Sequence, residues 1–154
     1  MMLKNKVAIV TGGTRGIGFA VVKKFIENGA AVSLWGSRQE TVDQALEQLK
    51  ELYPDAKISG KCPSLKDAAQ VTAMINQVKE EFGAVDILVN NAGISQSTSF
   101  YNYQPEEFQK IVDLNVTAVF NCSQAAAKIM KEQGGGVILN TSSMVSIYGQ
   151  PSGC

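Results

Sequence analysis

The sequence predicts an α/β fold, a doubly wound parallel sheet with helices on both faces. Three observations predict it. Short β-branched apolar runs alternate with segments whose apolar residues recur at helical spacing. No hairpin signal joins one run to the next, so the runs connect through βαβ crossovers. Polar, often Gly-rich stretches follow the runs, at residues 11–18, 36–38, 90–93 and 140–143. In open sheets of this kind ligands bind beyond the carboxyl ends of the strands, so these stretches are expected to line one crevice.

Each element follows from its own residues. Residues 6–11 (KVAIVT) form a short apolar run suited to a strand buried on both faces. Ile17, Val21, Val22, Phe25 and Ile26 then mark a helix, stopped by Asn28-Gly29. Residues 31–35 read as the second strand. Val42, Ala45, Leu46, Leu49 and Leu52 give the next helix one apolar face, and Pro54 ends it. A weaker third strand (57–61) precedes a helix carrying Val71, Ile75, Val78 and Phe82. Residues 85–89 are the fourth strand. A long helical region from about Glu106 holds Phe108, Ile111, Val112, Val116, Val119 and Phe120, and reads as more than one helix before Gly134-Gly135-Gly136. Residues 137–140 are the fifth strand, and the chain closes on a turn-like Gly149-Gln150-Pro151-Ser152.

Composition narrows the chemistry. The 154 residues carry 14 basic and 14 acidic side chains, and a net charge of +0 argues against a nucleic-acid partner. There is no histidine, which removes the Ser-His-Asp triad, the Cys-His dyad and the His-ligated metal site. Cys62, Cys122 and Cys154 are an odd set at unrelated spacings, so neither a disulfide framework nor a metal site is expected. The N-terminal apolar run is too short for a signal peptide or membrane span, and a cytoplasmic protein without a membrane partner is the expectation.

The strongest local signal is TGGTRGIG, residues 11–18, between the first strand and the first helix. Gly12, Gly16 and Gly18 would permit the tight turn and let backbone N–H groups approach a pyrophosphate at the helix N-terminus. Thr14, Arg15 and Ile17 fall within the same loop. The Gly-x3-Gly-x-Gly spacing differs from Gly-x-Gly-x-x-Gly, and no Gly-Lys-Ser/Thr follows, which disfavours a Walker A loop. A turn that merely packs helix on strand is the structural alternative.

Four motifs in order, TGGTRGIG, VDILVNNAG (85–93), the Asn of Asp113-Leu114-Asn115-Val116 and Asn140-Thr141-Ser142-Ser143, resemble those of the short-chain dehydrogenase/reductase family, which has a Rossmann fold. The resemblance runs the length of the chain and leans toward the bile-acid 3α-hydroxysteroid dehydrogenase and 3-oxoacyl-carrier-protein reductase branches. It implies that Gly12, Gly16 and Gly18 hold a nicotinamide dinucleotide, with Asn90, Ala92 and Gly93 along the nicotinamide-side ribose. It makes Asn115 the catalytic Asn that anchors a water in the proton relay. Ser143 would be the Ser that hydrogen-bonds the substrate oxygen, with Ser142 the neighbouring alternative. By their residues alone, Asn90 also fits a strand-end turn, Asn115 a satisfied amide, and Ser142-Ser143 a helix cap.

The second strand should end at the adenosine ribose, where an acid selects NAD and an Arg accommodates the 2′-phosphate of NADP. Here Trp35-Gly36-Ser37-Arg38 offers no acid before Glu40, while Ser37, Arg38 and the loop's Arg15 supply polar and cationic groups. NADP is therefore the expected cofactor, with NAD as the alternative. Where the family often has an Asp against the adenine, this chain has Cys62-Pro63-Ser64, and Ser64 would substitute through its hydroxyl.

The expected function is an NADP(H)-dependent oxidoreductase interconverting a secondary alcohol and a ketone, with a hydroxysteroid or bile acid as substrate. A 3-oxoacyl-carrier-protein reductase is the alternative within the family. From other classes come an inactive nucleotide-binding regulatory module and a flavin protein of similar sheet order. The resemblance further implies a homotetramer built partly on the helices from Glu106 to Lys131. Tyr148 has Ser152, not Lys, four residues on and lies too near Ser143 to be the family's catalytic Tyr, so it reads as a pocket or packing residue. The Tyr-x-x-x-Lys pair would fall just past Cys154, so residues 1–154 read as the N-terminal dinucleotide-binding part of one domain, with strands one to five present and the C-terminal strands missing. Residues 1–154 alone are expected to show no dehydrogenase turnover, and measurable alcohol oxidation by that purified polypeptide would contradict this.

Overall fold

The computed structural model describes residues 1–148; the turn read at Gly149-Gln150-Pro151-Ser152, and Cys154, lie outside the described residues. Five strands, β1 (Val7–Thr11), β2 (Ala31–Trp35), β3 (Ile58–Lys61), β4 (Ile87–Asn90) and β5 (Val137–Asn140), form one parallel sheet in the order β3-β2-β1-β4-β5. Helices α1 (Gly16–Glu27), α2 (Gln39–Leu52), α3 (Ala68–Phe82), α4 (Pro105–Val112) and α5 (Ala118–Glu132) connect the strands, and a short α6 (Val145–Tyr148) follows β5. The order reverses at β1, whose neighbours are β2 and β4, so a crevice opens where the β1–α1 and β4–α4 connections part.

Strand alternation divides the core between two layers. Val7 and Ile9 of β1 pack with α3 (Val71, Ile75, Val78) and α5 (Cys122, Ala126, Ile129). Ala8 and Val10 face α1 (Val22, Ile26) and α2 (Val42, Ala45, Leu49). Both faces of the central strands are thus covered, as their continuous apolar runs require. Two buried serines sit in this sheet, and each is satisfied: Ser33 Oγ accepts from Trp35 Nε1 and from Ser59 Oγ, both at 3.1 Å. Burial pushes the Cys122 thiol up to about 12, so it acts as a small apolar group on the buried face of α5.

The sequence-derived helices and strands are all present, with ends shifted by a residue or two. The region after Glu106 is more than one helix, as expected: α4 passes into α5 through a π-helical turn, Asp113–Thr117. Val116 and Phe120 in this region are 61% exposed, and Phe108 is exposed with them. Residues 100–102 form a 3₁₀ turn that periodicity does not reveal. Among the described residues no helix is long and apolar enough to cross a membrane.

Candidate dinucleotide site

The crevice is a cleft of about 890 Å³ at the carboxyl ends of β1, β2, β3 and β4. Its floor is the β1–α1 turn. Gly13 N–H donates to the Trp35 carbonyl (3.0 Å), extending the β1–β2 ladder past the strand ends. Gly12 then adopts φ +65° and turns the chain toward α1. Gly18, one turn into the helix, is buried, and a Cβ there would strike the Gly12 carbonyl oxygen and come within 2.5 Å of Asn91 Nδ2. The bare glycine is what lets helix, turn and the segment after β4 meet.

Thr11 and Asn91 hold that junction. Thr11 Oγ1 accepts from the N–H groups of Asn91 (3.1 Å) and Ala92 (3.0 Å) and lies 3.4 Å from the Val89 carbonyl, to which it donates. Asn91 Nδ2 returns the contact, donating to the carbonyls of Thr11 (3.2 Å) and Gly12 (3.3 Å). Neither residue was among the sequence-derived site residues, although a threonine closing an apolar strand was the visible signal.

The N-terminus of α1 meets the cleft without a cap. Arg15 at the N-cap makes no side-chain hydrogen bond to the helix, and the first turn has no acidic residue. By contrast, α3 is capped by Asp67, which accepts from Ala69 N and Gln70 N, bonds that hold its carboxyl below the usual carboxylate range. The first turn of α4 carries Glu106 and Glu107. At α1 alone of these three, N–H groups and the positive end of the helix dipole are left for an external anion. That uncapped helix end, lining the cleft beside a turn that Gly18 lets pack closely, fits a pyrophosphate.

Around this floor Thr14, Arg15, Gly16, Ile17, Ser37, Ser64, Ala92 and Gly93 line the cleft, so most residues singled out from sequence are brought together. The Ser64 segment is pinned from two helices: Ser64 N–H donates to Gln70 Oε1 (3.0 Å), and Asn121 Nδ2 donates to the Leu65 carbonyl (3.1 Å). Arg38 lies in an adjoining polar cavity of about 240 Å³, which Thr14, Arg15 and Ser37 share with it. Lys66, Lys110 and Asp113 also line the cleft and were missed, because neither spacing nor periodicity shows that the β3–α3 connection and the α4 run share one cleft.

Asn90 requires a correction. Its side chain does not line the cleft; it is 4% exposed and donates through Nδ2 to Asn140 Oδ1 (2.8 Å) and Ser123 Oγ (3.0 Å). Alternate strand residues point to opposite faces, and Asn90, in phase with Leu88, points into the α3–α5 layer. Asn91, outside the strand, occupies the cleft instead.

Asn115 lies in the π-helical turn. Its amide grips the backbone of Ile94 twice, donating to the carbonyl (2.8 Å) and accepting from the N–H (3.0 Å). This fixes the segment after Gly93 from below. Ser143 stands past the end of β5, on the same edge of the sheet as Gly93 but outside the residues that line the cleft. Its hydroxyl accepts from Val145 N–H (3.4 Å) and its carbonyl from Ser146 Oγ (2.7 Å), a cap-like contact to α6. Tyr148, read as a pocket or packing residue, is 77% exposed.

Comparison with known proteins bears on the family and the fold. The family model described as short chain dehydrogenase matches residues 6–154. A 3α-hydroxysteroid dehydrogenase of Mediterraneibacter gnavus is 99% identical over 154 residues, which are 100% of this chain and 62% of that protein. A 3-oxoacyl-[acyl-carrier-protein] reductase of Chlamydia muridarum is 35% identical over 150 residues, 97% of this chain and 60% of the relative. The chain thus spans about three-fifths of the length of the curated relatives it matches. Among solved structures, an NAD+-bound xylitol dehydrogenase superposes with a TM-score of 0.93 at 27% identity, over 99% of this chain and 58% of that one.

The bare junction at Gly18 can be tested against a glycine with open space around it. Gly18→Ala is expected to weaken nicotinamide-dinucleotide binding, NADH or NADPH alike, by about 100-fold or more, since the loop must move away from the anion site. Gly83→Ala, at φ +91° with nothing within 4 Å of a new Cβ, should cost about 1 kcal/mol of stability and leave binding intact. Quenching of Trp35, the one tryptophan, reads both variants; equal binding by Gly18→Ala and the parent chain would refute the account.

Proposed function

The chain belongs to the short-chain dehydrogenase family, and from that premise we propose that residues 1–154 form the dinucleotide-binding domain of an NADP(H)-dependent oxidoreductase interconverting a secondary alcohol and a ketone. The substrate in this reading is a hydroxysteroid of bile-acid type, acted on at its 3-position. The observation that carries it is the uncapped, carboxylate-free N-terminus of α1, held by Gly18 against the Gly12 carbonyl. The name and 99% identity of the Mediterraneibacter gnavus relative support the hydroxysteroid over the 3-oxoacyl thioester, whose reductase is 35% identical.

The cofactor, when bound, supplies or accepts the hydride. The chain's own residues bind and orient. Gly12, Gly16 and Gly18 leave room for the pyrophosphate, with Thr14 and Ile17 flanking it; Ser64 meets the adenine, and Ala92 and Gly93 the nicotinamide-side ribose. The 2′-phosphate belongs in the cavity of Arg15, Ser37 and Arg38, where no acid repels it and guanidinium groups match its geometry. Ser143 donates a hydrogen bond to the substrate oxygen, polarising it as charge develops there. Asn115 anchors a water of the proton relay while its side chain fixes Ile94. The exposed Phe108, Val116 and Phe120 support a homotetramer assembled partly on α4 and α5, and a cytoplasmic enzyme is the setting in this reading.

Two measurements test these assignments. Arg15→Ala/Arg38→Ala is expected to weaken NADPH binding about 10- to 100-fold while NADH binding changes little; an equal loss for both cofactors would refute the 2′-phosphate assignment. In the natural protein, oxidation of a 3α-hydroxy bile acid with NADP should fall by about 100-fold in Ser143→Ala at unchanged cofactor affinity. Full activity of that variant would remove Ser143 from the chemistry.

A further inference from the structure

The cleft is flanked by cations from both layers of the fold, although the whole chain carries a net charge of +0. On the α1–α2 side stand Arg15 and, in the adjoining cavity, Arg38. The same cleft is also lined by Lys66, in the β3–α3 connection, and by Lys110 on α4, the run that continues into α5. Both lysines are exposed, and among the described residues the ion pairs join Lys6–Asp86, Lys24–Glu27, Lys61–Glu81 and Lys79–Glu132, none of them at the cleft. The one carboxylate lining the cleft, Asp113, accepts a hydrogen bond from Gln109 Nε2 (2.8 Å). The positive end of the α1 dipole adds to the same field.

We infer that Lys66 and Lys110 are an anion-steering pair, which draws a polyanionic nucleotide into the cleft by its total charge and takes no part in recognising the 2′-phosphate. The inference rests on the dinucleotide reading and extends it to residues outside the glycine turn and the Arg15–Arg38 cavity. Exposed lysines on long, flexible stems hold a ligand poorly, but they raise the potential over a cleft whose walls focus the field, and so raise the encounter rate. A ligand with three phosphate groups, such as NADPH, gains more than NADH with two.

Stopped-flow quenching of Trp35, which itself lines the cleft, measures association and dissociation separately. At low ionic strength Lys66→Gln/Lys110→Gln should slow NADPH association roughly 3- to 10-fold, and Lys66→Glu/Lys110→Glu should slow it further, with dissociation unchanged. NADH association should fall less. At about 1 M salt, where the Debye length is ~3 Å, variant and parent should converge. If the parent binds NADPH and the variants associate at its rate, or differ only in dissociation, the steering role is wrong and the cofactor reading stands. If the parent binds neither nucleotide, both fall together.

Discussion

One buried hydroxyl organises the site. Thr11 closes a strand of otherwise apolar residues, and its Oγ1 receives the N–H groups of Asn91 and Ala92 from the neighbouring strand's end. A hydroxyl so far from water must find partners, and here the partners are the backbone of the other wall of the cleft. Asn91 answers by holding the carbonyls of Thr11 and Gly12. The two halves of the site therefore cannot move independently. Gly18 must be bare because α1 closes onto this same junction, bringing its N-terminus over the turn.

The electrostatics follow from what the helices lack. Most helix starts in globular proteins are satisfied by a side chain, and α3 obeys that pattern through Asp67. At α1 the cap position holds Arg15, which cannot accept a hydrogen bond and instead presents a guanidinium to the cleft. The helix thus keeps donors and a positive dipole end, and cations rather than carboxylates flank it. A diphosphate ligand is the complement of that arrangement.

The π-helical turn supplies a second constraint. Inserting one extra residue into the run between α4 and α5 places Asn115 beneath the backbone of Ile94, where its amide uses one donor and one acceptor. Asn90, Asn140 and Ser123 tie β4, β5 and α5 together on the opposite face. Between them these polar side chains fix the segments that follow β4 and β5, the places from which Gly93 and Ser143 project.

The sequence by itself determined the order of elements, the parallel sheet and the position of the glycine turn, because periodicity, β-branching and glycine placement are local properties that survive without neighbours. It also located Ser64, Ala92, Gly93, Arg15 and Arg38 near one crevice, since residues following parallel strands must gather at one edge. Only the tertiary structure decided that Asn90 turns into the α3–α5 layer while Asn91 faces the cleft. Only it revealed Thr11 as the joining residue, and brought Lys66 and Lys110 to the cleft that Arg15 lines. Which face a strand-end side chain takes, and which distant helix crosses above it, depend on how β1, β4 and α4 pack, and no pattern within a single segment carries that information.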